Sequence, residues 1–161
     1  MQSVTPLPQI LVIGVGNDYG GDDAAGHLVV RKLKAMEGDI VRIVEESGEG
    51  ASLMEAWRGG DVAIVIDAVR SGAVPGTIHR FEAETQPIPG RLFAYSTHAF
   101  SVAEAIEMAR ALDQLPAELI IYGIEGNSFD PGGELSLEVR AAVDEAVQRI
   151  SQEIVQRRSR T

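Results

Sequence analysis

Cysteine is absent from this chain of 161 residues, and basic residues are scarce. The lack of cysteine excludes disulfides, thiol nucleophiles and thiolate metal sites, so any metal must be held by oxygen and imidazole ligands. The 14 Lys and Arg residues face 24 Asp and Glu residues, which gives a formal net charge of -10. Nucleic acids and anionic membranes bind through clustered Lys and Arg, so we expect neither as a partner.

Long apolar runs are also missing. No segment approaches the roughly 20 apolar residues that a membrane span needs. The N-terminus lacks the basic region of a signal peptide, and its apolar run ends at Gly14 and Gly16. We therefore expect a cytoplasmic protein. Apolar residues make up 45% of the chain, which is enough for one domain over 1–161, with flexible ends at about 1–8 and 156–161.

Apolar runs alternate with segments of helical period along the chain. Strands are predicted from Ile10 to the glycines at 14–16, and over 39–45, 61–69, 77–81 and 118–124. Helices are predicted after Asp23, over 51–57 and 102–112, and after Ser136. This alternation predicts a single three-layer α/β/α domain with a mainly parallel central sheet, in which 77–81 is an antiparallel edge strand.

Three side chains that can bind metal follow or flank these predicted elements. Asp23 ends a glycine-rich turn after the first strand, Asp67 ends the most apolar strand, and His98 precedes a helix. The start of the helix that follows His98 is marked by Ser101-Val-Ala-Glu104, which fits a capping box. Because the carboxyl ends of parallel strands share one edge, Asp23, Asp67 and His98 are expected to converge. Two carboxylates and one imidazole leave open positions on Zn, Ni and other divalent first-row metals, and such sets serve hydrolysis.

Ordinary structural roles compete with this hypothesis at each position. Asp23 is also suited to the first turn of a helix, although Asp22 is the more natural N-cap. Asp67 is also suited to a turn, and a lone histidine before a helix, such as His98, is more often a polar loop residue than a ligand. The other two histidines, His27 and His79, are interpreted as surface or rim residues.

Two other chemistries fit parts of the pattern. Gly14, Gly16 and Gly20 resemble a dinucleotide fingerprint with Glu45 or Glu46 as the ribose-binding acid, but the third glycine is one residue late. The acids Asp18, Asp22 and Asp23 would also repel a pyrophosphate. A Ser-His-Asp hydrolase would use Ser47 or Ser96 with His98 and Asp67, but no Gly-x-Ser-x-Gly elbow is present to carry its nucleophile.

Motifs spread over nearly the whole chain resemble those of one known family. They are Ile-Gly-Val-Gly-Asn17 with Gly-Asp-Asp23, Val-Ile-Asp67-Ala, Ser-Thr-His98 and Tyr-Gly-Ile124-Glu. The chain resembles the nickel-dependent endopeptidases that mature the large subunit of [NiFe]-hydrogenases. The resemblance rests on the ensemble: the Gly-x-Gly-Asn and Asp-Asp block, the strand-end Asp and the later His.

The resemblance implies a function for the three candidate ligands. Asp23, Asp67 and His98 would be the catalytic and metal-binding residues and would bind nickel already inserted in the hydrogenase large-subunit precursor. The nickel would act as a recognition handle while a short C-terminal extension of the precursor is removed. Nickel is thus supplied with the substrate, and zinc or cadmium could occupy the same site. Many family members have Glu in place of Asp23.

The resemblance also implies where the precursor binds. Members often carry Asp-Gly-Gly-Thr after the second strand, a run linked to substrate choice, and the corresponding residues here are Glu46, Ser47, Gly48, Glu49 and Gly50. We assign them to substrate binding. Independently of the resemblance, the length and expected position of the loops 83–95 and 125–134 suggest that these loops also contact the precursor. A monomer is expected. The alternative function is a non-catalytic nucleotide-binding or nickel-sensing maturation chaperone of α/β fold.

Overall fold

The computed structural model describes residues 6–37, 41–93 and 98–159. Five strands and four α-helices alternate along these segments. In chain order the elements are β1 (Ile10–Val15), α1 (Ala25–Glu37), β2 (Arg42–Glu46), α2 (Gly50–Trp57), β3 (Val62–Val69), β4 (Ile78–Glu82), α3 (Val102–Ala111), β5 (Glu118–Glu125) and α4 (Leu137–Arg158). Short 3-10 helices cover Gly21–Ala24 and Gly90–Phe93.

The strands form one sheet in the order β2-β1-β3-β5-β4. The first four are parallel, whereas β4 at the edge runs antiparallel to β5. The mainly parallel sheet with an antiparallel edge strand at 77–81 is therefore confirmed. All carboxyl ends of the parallel strands lie at the same edge, so the turns that follow β1 and β3 are neighbours.

Two apolar cores lie on opposite faces of the sheet. Alternate residues of the strands, such as Val12 and Ile64, pack with α1 and α4. Their chain neighbours, Ile13 and Val65, pack with α2 and α3. All eight residues of β3 are buried, because this central strand is covered by helices on both faces. The three-layer α/β/α architecture follows from this arrangement.

The C-terminal end differs from the sequence-based expectation of a flexible segment from 156. The last helix continues to Arg158, and the side chain of Arg157 is buried against Glu153 and Glu118, at 3.1 and 3.3 Å. These ion pairs, together with burial of the arginine stem, hold a segment that composition alone indicates to be solvated. Residues 1–5, 160 and 161 lie outside the described segments.

The connection 83–95 also differs from the surface loop that its prolines indicate. Ala83 is buried, and the 3-10 helix Gly90–Phe93 places Leu92 and Phe93 in the core that contains α2 and α3. Residues 94 and 95 are outside the described part of the chain, as are 39 and 40 at the predicted start of the second strand. Among the helices that the structure describes, none is both long and apolar enough to cross a membrane.

Candidate active site

The turn after β1 places Asp23 at the carboxyl edge of the sheet. A side chain on Gly16 would stand 2.0 Å from the Asp23 carbonyl oxygen, and the backbone φ of Gly16 is 156°, which favours glycine. A side chain on Gly26 would meet the carbonyl oxygens of Val15 and Ile66 at 2.3 and 2.5 Å. The glycines thus allow α1 to pack directly on β1 and β3. They serve close packing around Asp23 rather than phosphate binding.

Asp67 is close enough to Asp23 for the two carboxyl groups to interact electrostatically. Its residue is 9% exposed, and burial, reinforced by the negative charge of Asp23, raises the pKa of the Asp67 carboxyl well above its ordinary value. Burial also raises the pKa of Asp23, although attraction to His27 and His98 opposes this shift. Two carboxyl groups that each resist ionisation in this way form a site at which a bound cation would be stabilised.

Asp23, Asp67 and His98 all line one cavity of about 670 Å³ at the carboxyl edge of the sheet. This volume is typical of ligand-binding clefts. His98 precedes α3, whose first turn carries the predicted capping box: the Glu104 carboxylate accepts from the Ser101 backbone N–H at 3.2 Å. Three residues separated by at least 31 positions in the sequence thus lie around the same space.

The predicted substrate loop contributes two residues to this cavity, Ser47 and Gly48. Gly48 has a φ of 100°, and a side chain on it would lie 3.1 Å from Val15 and 3.6 Å from the His98 ring. Glu49 instead caps α2, because its carboxylate accepts from the backbone N–H groups of residues 51 and 52. Glu46 and Gly50 bind neighbouring segments through their backbones, to Gly16 and Phe100 respectively.

Asp22, expected as a helix N-cap, has a different role. Its carboxylate is fully buried and accepts hydrogen bonds from the backbone N–H groups of Asn127, Ser128 and Ser136, at 2.7 to 3.0 Å, and from the Ser136 hydroxyl at 3.0 Å. Burial opposes ionisation, but these hydrogen bonds outweigh it and lower the pKa of Asp22. Asp22 therefore ties the turn that carries Asp23 to the loop 126–136. Sequence spacing gave no signal for a contact over 105 residues.

His27, interpreted from the sequence as a surface or rim residue, is buried and lines the cavity. That interpretation is wrong because α1 packs tightly on the sheet through Gly26, which draws the histidine inward. Its Nε2–H donates to the Glu46 carbonyl at 2.9 Å, and Nδ1 lies 2.9 Å from Asp18 and 3.6 Å from Glu45.

Asp18, His27 and Glu45 form a group that could hold a metal ion, since their ligand atoms lie within 4.8 Å of one another. Asp23, Asp67 and His98 do not form so close a group in the part of the chain that the structure describes. Arg31 already bridges the two acids of the closer group, with Nη2 at 2.9 Å from Asp18 and 2.7 Å from Glu45. Its hydrogen bonds lower the pKa of both carboxyls, so this group has an internal cation.

His79 is likewise more than a rim residue. Its Nε2 lies 3.2 Å from the carboxylate of Glu125, a residue that is 1% exposed. Glu125 also accepts from the Ser71 backbone N–H at 2.8 Å and from the Ser71 hydroxyl at 2.5 Å. Burial opposes the ionisation of Glu125, but the Ser71 and His79 contacts outweigh it and lower the pKa. The alternating pattern of β4 did not reveal this partner on β5.

The geometry of the cavity gives little support to the two alternative chemistries, dinucleotide binding and a Ser-His-Asp hydrolase. Asp18 and Asp23 both line the cavity beside the glycine turn, where a pyrophosphate would meet their negative charge. Ser47 lines the cavity but lies on a loop rather than on a strand-to-helix elbow. Ser96, the other candidate nucleophile, lies outside the described residues.

Comparison with known proteins places the chain in a family. The family model for hydrogenase maturation protease matches residues 27–153. HupD of Thiocapsa roseopersicina, a hydrogenase expression/formation protein, is 29% identical over 88% of this chain, which spans 65% of that relative's length. A protein of Methanocaldococcus jannaschii, provisionally named a hydrogenase maturation protease, is 33% identical over 90% of this chain and 96% of its own length.

Solved structures agree with this result. The hydrogenase maturating endopeptidase HybD from Escherichia coli superposes with a TM-score of 0.76 and 26% identity, over 92% of this chain and 93% of HybD. The solution structure of an endopeptidase from Escherichia coli gives a TM-score of 0.74 and 28% identity, over 88% and 89% of the two chains. On its sequence, its sheet topology and these matches, the chain belongs to the hydrogenase maturation proteases, a family of endopeptidases that act on peptide bonds.

Proposed function

We propose that this chain cleaves a short C-terminal extension from the nickel-loaded large-subunit precursor of a [NiFe]-hydrogenase. Asp23, Asp67 and His98 would bind the nickel that the precursor brings, so that the metal joins enzyme and substrate during cleavage. Nickel is part of the substrate in this account. Zinc or cadmium, which accept the same oxygen and nitrogen ligands, would compete for the site.

The observation that carries this proposal is the convergence of the three residues on one cavity. Asp67 and Asp23 each carry a raised pKa, and no hydrogen bond from a Lys or Arg to either carboxyl is found among the described residues. A divalent ion would offset the burial of both negative charges more fully than His27 and His98 do, whose attraction leaves the pKa of Asp23 raised. The separation of the three candidate ligands, wider than that of the Asp18 group, fits an ion that arrives with ligands of its own.

The protonation states needed for this role are specific. Both carboxyls must be ionised and His98 must be neutral when they bind the metal. A divalent ion supplies Lewis acidity that can polarise the scissile carbonyl, and a carboxylate of the site can accept a proton from the attacking water. Asp23 and Asp67 are both suited to accept that proton, since a raised pKa brings a carboxylate closer to neutral pH.

The proposal is tested by cleavage of a nickel-loaded precursor with single variants. Asp67→Asn and His98→Ala should each lower the cleavage rate at least about a hundredfold, because loss of one metal ligand removes both affinity and alignment. Asp61→Asn is the matched control. It lies just before β3, at the opposite edge of the sheet, and its exposed carboxylate accepts from the Gln9 backbone N–H at 3.0 Å.

Circular dichroism of every variant verifies that the fold persists. Full cleavage by folded Asp67→Asn and His98→Ala would contradict the assignment of the site. Binding of the precursor without cleavage by the unmodified chain would favour the maturation chaperone instead. Cytoplasmic location and a monomeric state also belong to this proposal, and cell fractionation and light scattering measure them.

A further inference from the structure

A buried histidine of the cavity, His27, has no part in the proposed metal site. It lies near the start of α1. Its Nε2 stands 2.9 Å from the Glu46 carbonyl oxygen, and its Nδ1 stands 2.9 Å from the Asp18 carboxylate. A backbone carbonyl only accepts hydrogen bonds, so Nε2 carries a proton and donates it. Both ring nitrogens thus have partners within the chain, and these contacts indicate a link to Glu46 rather than a role as general base.

The Glu46 carbonyl is held by two elements at once. In addition to His27 of α1, the Gly16 N–H just after β1 donates to it at 3.0 Å. Gly16 also lies against the Asp23 carbonyl, which accepts from the Asn17 N–H at 3.2 Å. The peptide group that follows β2 is therefore oriented by the same turn that presents Asp23 to the cavity.

The loop that starts at this carbonyl connects the two sides of the candidate site. Gly48 lines the cavity and passes beside the His98 ring, since an added side chain would lie 3.6 Å from that ring. At the far end of the loop, the Gly50 N–H donates to the Phe100 carbonyl at 2.8 Å, in the segment that leads into α3. The loop thus bridges the Asp23 turn and the segment before α3, so the orientation of its first peptide group affects both halves of the candidate site.

We propose that His27 is a positioning residue of the protease: by donating from Nε2 to the Glu46 carbonyl, it fixes the loop 46–50, which aligns the scissile segment of the precursor with the metal site. His27 does not itself contact the substrate but acts through the loop. Alignment of this kind carries much of the rate, since a misplacement of about 1 Å can cost about a hundredfold. This inference rests on the proposed function for the role of the loop in precursor binding.

Two amide variants separate the hydrogen bond of His27 from its ring and its charge. Gln places an NH₂ donor near the position of Nε2 and Asn places one near the position of Nδ1, while both remove the ring and its attraction for Asp23. The ¹⁵N order parameters of the Ser47 and Gly48 amides should fall from about 0.85 to below about 0.6 in His27→Asn and stay high in His27→Gln. Equal order parameters in the two variants would overturn the proposal.

The unmodified chain offers a test that depends on no substitution. Histidine ¹⁵N spectra at pH 7 should show a proton on the Nε2 of His27 and a scalar coupling, through the hydrogen bond, to the carbonyl carbon of Glu46. A His27 ring protonated only at Nδ1 would overturn the proposal, because it would have no proton to donate to that carbonyl.

Cleavage of the nickel-loaded precursor gives the functional result. In His27→Asn, kcat should fall at least about tenfold with KM changed less than about twofold, whereas His27→Gln should keep kcat within about threefold. Lys34→Asn, an exposed position of the same helix outside the cavity, is the matched control. Equal kcat in the two folded His27 variants would overturn the positioning role. Absence of cleavage by the unmodified chain contradicts the proposed function alone and leaves the NMR results to decide on His27.

Discussion

Two buried acidic regions of this molecule have opposite electrostatics. On the α4 side of the sheet, Glu153 is contacted by Arg80 at 2.7 Å, by Arg157 at 3.1 Å and by the Tyr122 hydroxyl. Burial there opposes ionisation, but the hydrogen bonds of Arg80 and Tyr122 outweigh it and lower the pKa of Glu153. At the carboxyl edge, Asp67 is as buried as Glu153, and its pKa is raised.

In the proposed function, this difference separates acids that stabilise the fold from acids that bind the metal of the substrate. Glu153 has its countercharges within the chain, so its ionised form is part of the folded structure. Burial and the negative charge of Asp23 raise the pKa of Asp67, so its ionised form is disfavoured in the folded chain. Asp22 belongs with Glu153 despite its position next to Asp23, because backbone N–H groups satisfy its carboxylate.

The largest change in stability is expected from Glu153→Gln. The neutral side chain would leave Arg157 and Arg80 without their shared negative charge and would put an NH₂ donor beside a guanidinium, and breaking a buried ion pair costs about 3 kcal/mol. Urea denaturation measures the free energy of unfolding. Glu145→Gln, which removes an exposed pair with Arg149 on the same helix, should cost less than about 0.5 kcal/mol. Equal losses in the free energy of unfolding of the two variants would mean that burial does not strengthen the ion pairs of Glu153.

Asp22→Asn should lower the free energy of unfolding by about 2 kcal/mol. All four hydrogen-bond partners of Asp22 donate to it, so the amide NH₂ of asparagine would face N–H groups with no acceptor. Hydrogen exchange should increase across 126–136, and precursor cleavage should fall because Phe129 and Pro131 line the cavity. Asp144→Asn, an exposed acid paired with Lys32, is the control. Unaltered exchange in this loop would contradict the role given to Asp22.

Asp67→Asn should stabilise the chain at pH 7, which is measured as a rise in Tm relative to the unmodified chain. Because the folded pKa of Asp67 lies above the unfolded one, stability falls as pH rises from the unfolded pKa through the folded pKa, and Asn removes this loss. The gain in Tm over the unmodified chain should therefore vanish as pH falls below the ordinary value of 3.8. A variant less stable than the unmodified chain at pH 7 would show that the ionised carboxylate is satisfied within the fold.

The smallest effect is expected in the pH dependence of kcat/KM, where the raised carboxyl pKa values act on cleavage. This ratio reports ionisations of the free enzyme, in which the pKa values of Asp23 and Asp67 are raised. Cleavage should therefore decline with acidification at a pH higher than ordinary carboxyls require, since a protonated carboxyl does not bind metal. Replacement of Asp23 by Glu, which keeps a carboxylate at this position, should preserve this decline. A flat profile down to pH 4 would exclude both carboxyls as ligands.

Most of the fold was accessible from the sequence because local patterns determine it. The alternation of apolar runs and helical segments gave the α/β class, and the β-branched run around Ile64 gave the central strand. The antiparallel edge strand was indicated by the alternation of Ile78 and His79 with their neighbours. The buried end of α4 was not, because the ion pairs of Arg157 join residues that only the tertiary fold brings together.

The candidate site was accessible only in part. The rule that strand ends share an edge brought Asp23 and Asp67 together, and the capping box located His98. Contacts such as Asp22 with Ser136, His27 with Asp18, and Glu125 with Ser71 depend on the fold and on side-chain orientation. No spacing rule in the sequence predicts these contacts.

The central claim is that Asp23, Asp67 and His98 bind the nickel of the precursor, and nickel X-ray absorption of the precursor with and without enzyme tests it most directly. We predict that added enzyme increases the number of oxygen and nitrogen neighbours of nickel and introduces imidazole scattering, and that His98→Ala abolishes the imidazole contribution. An identical nickel spectrum in the free precursor and in a complex that goes on to cleave would contradict the account.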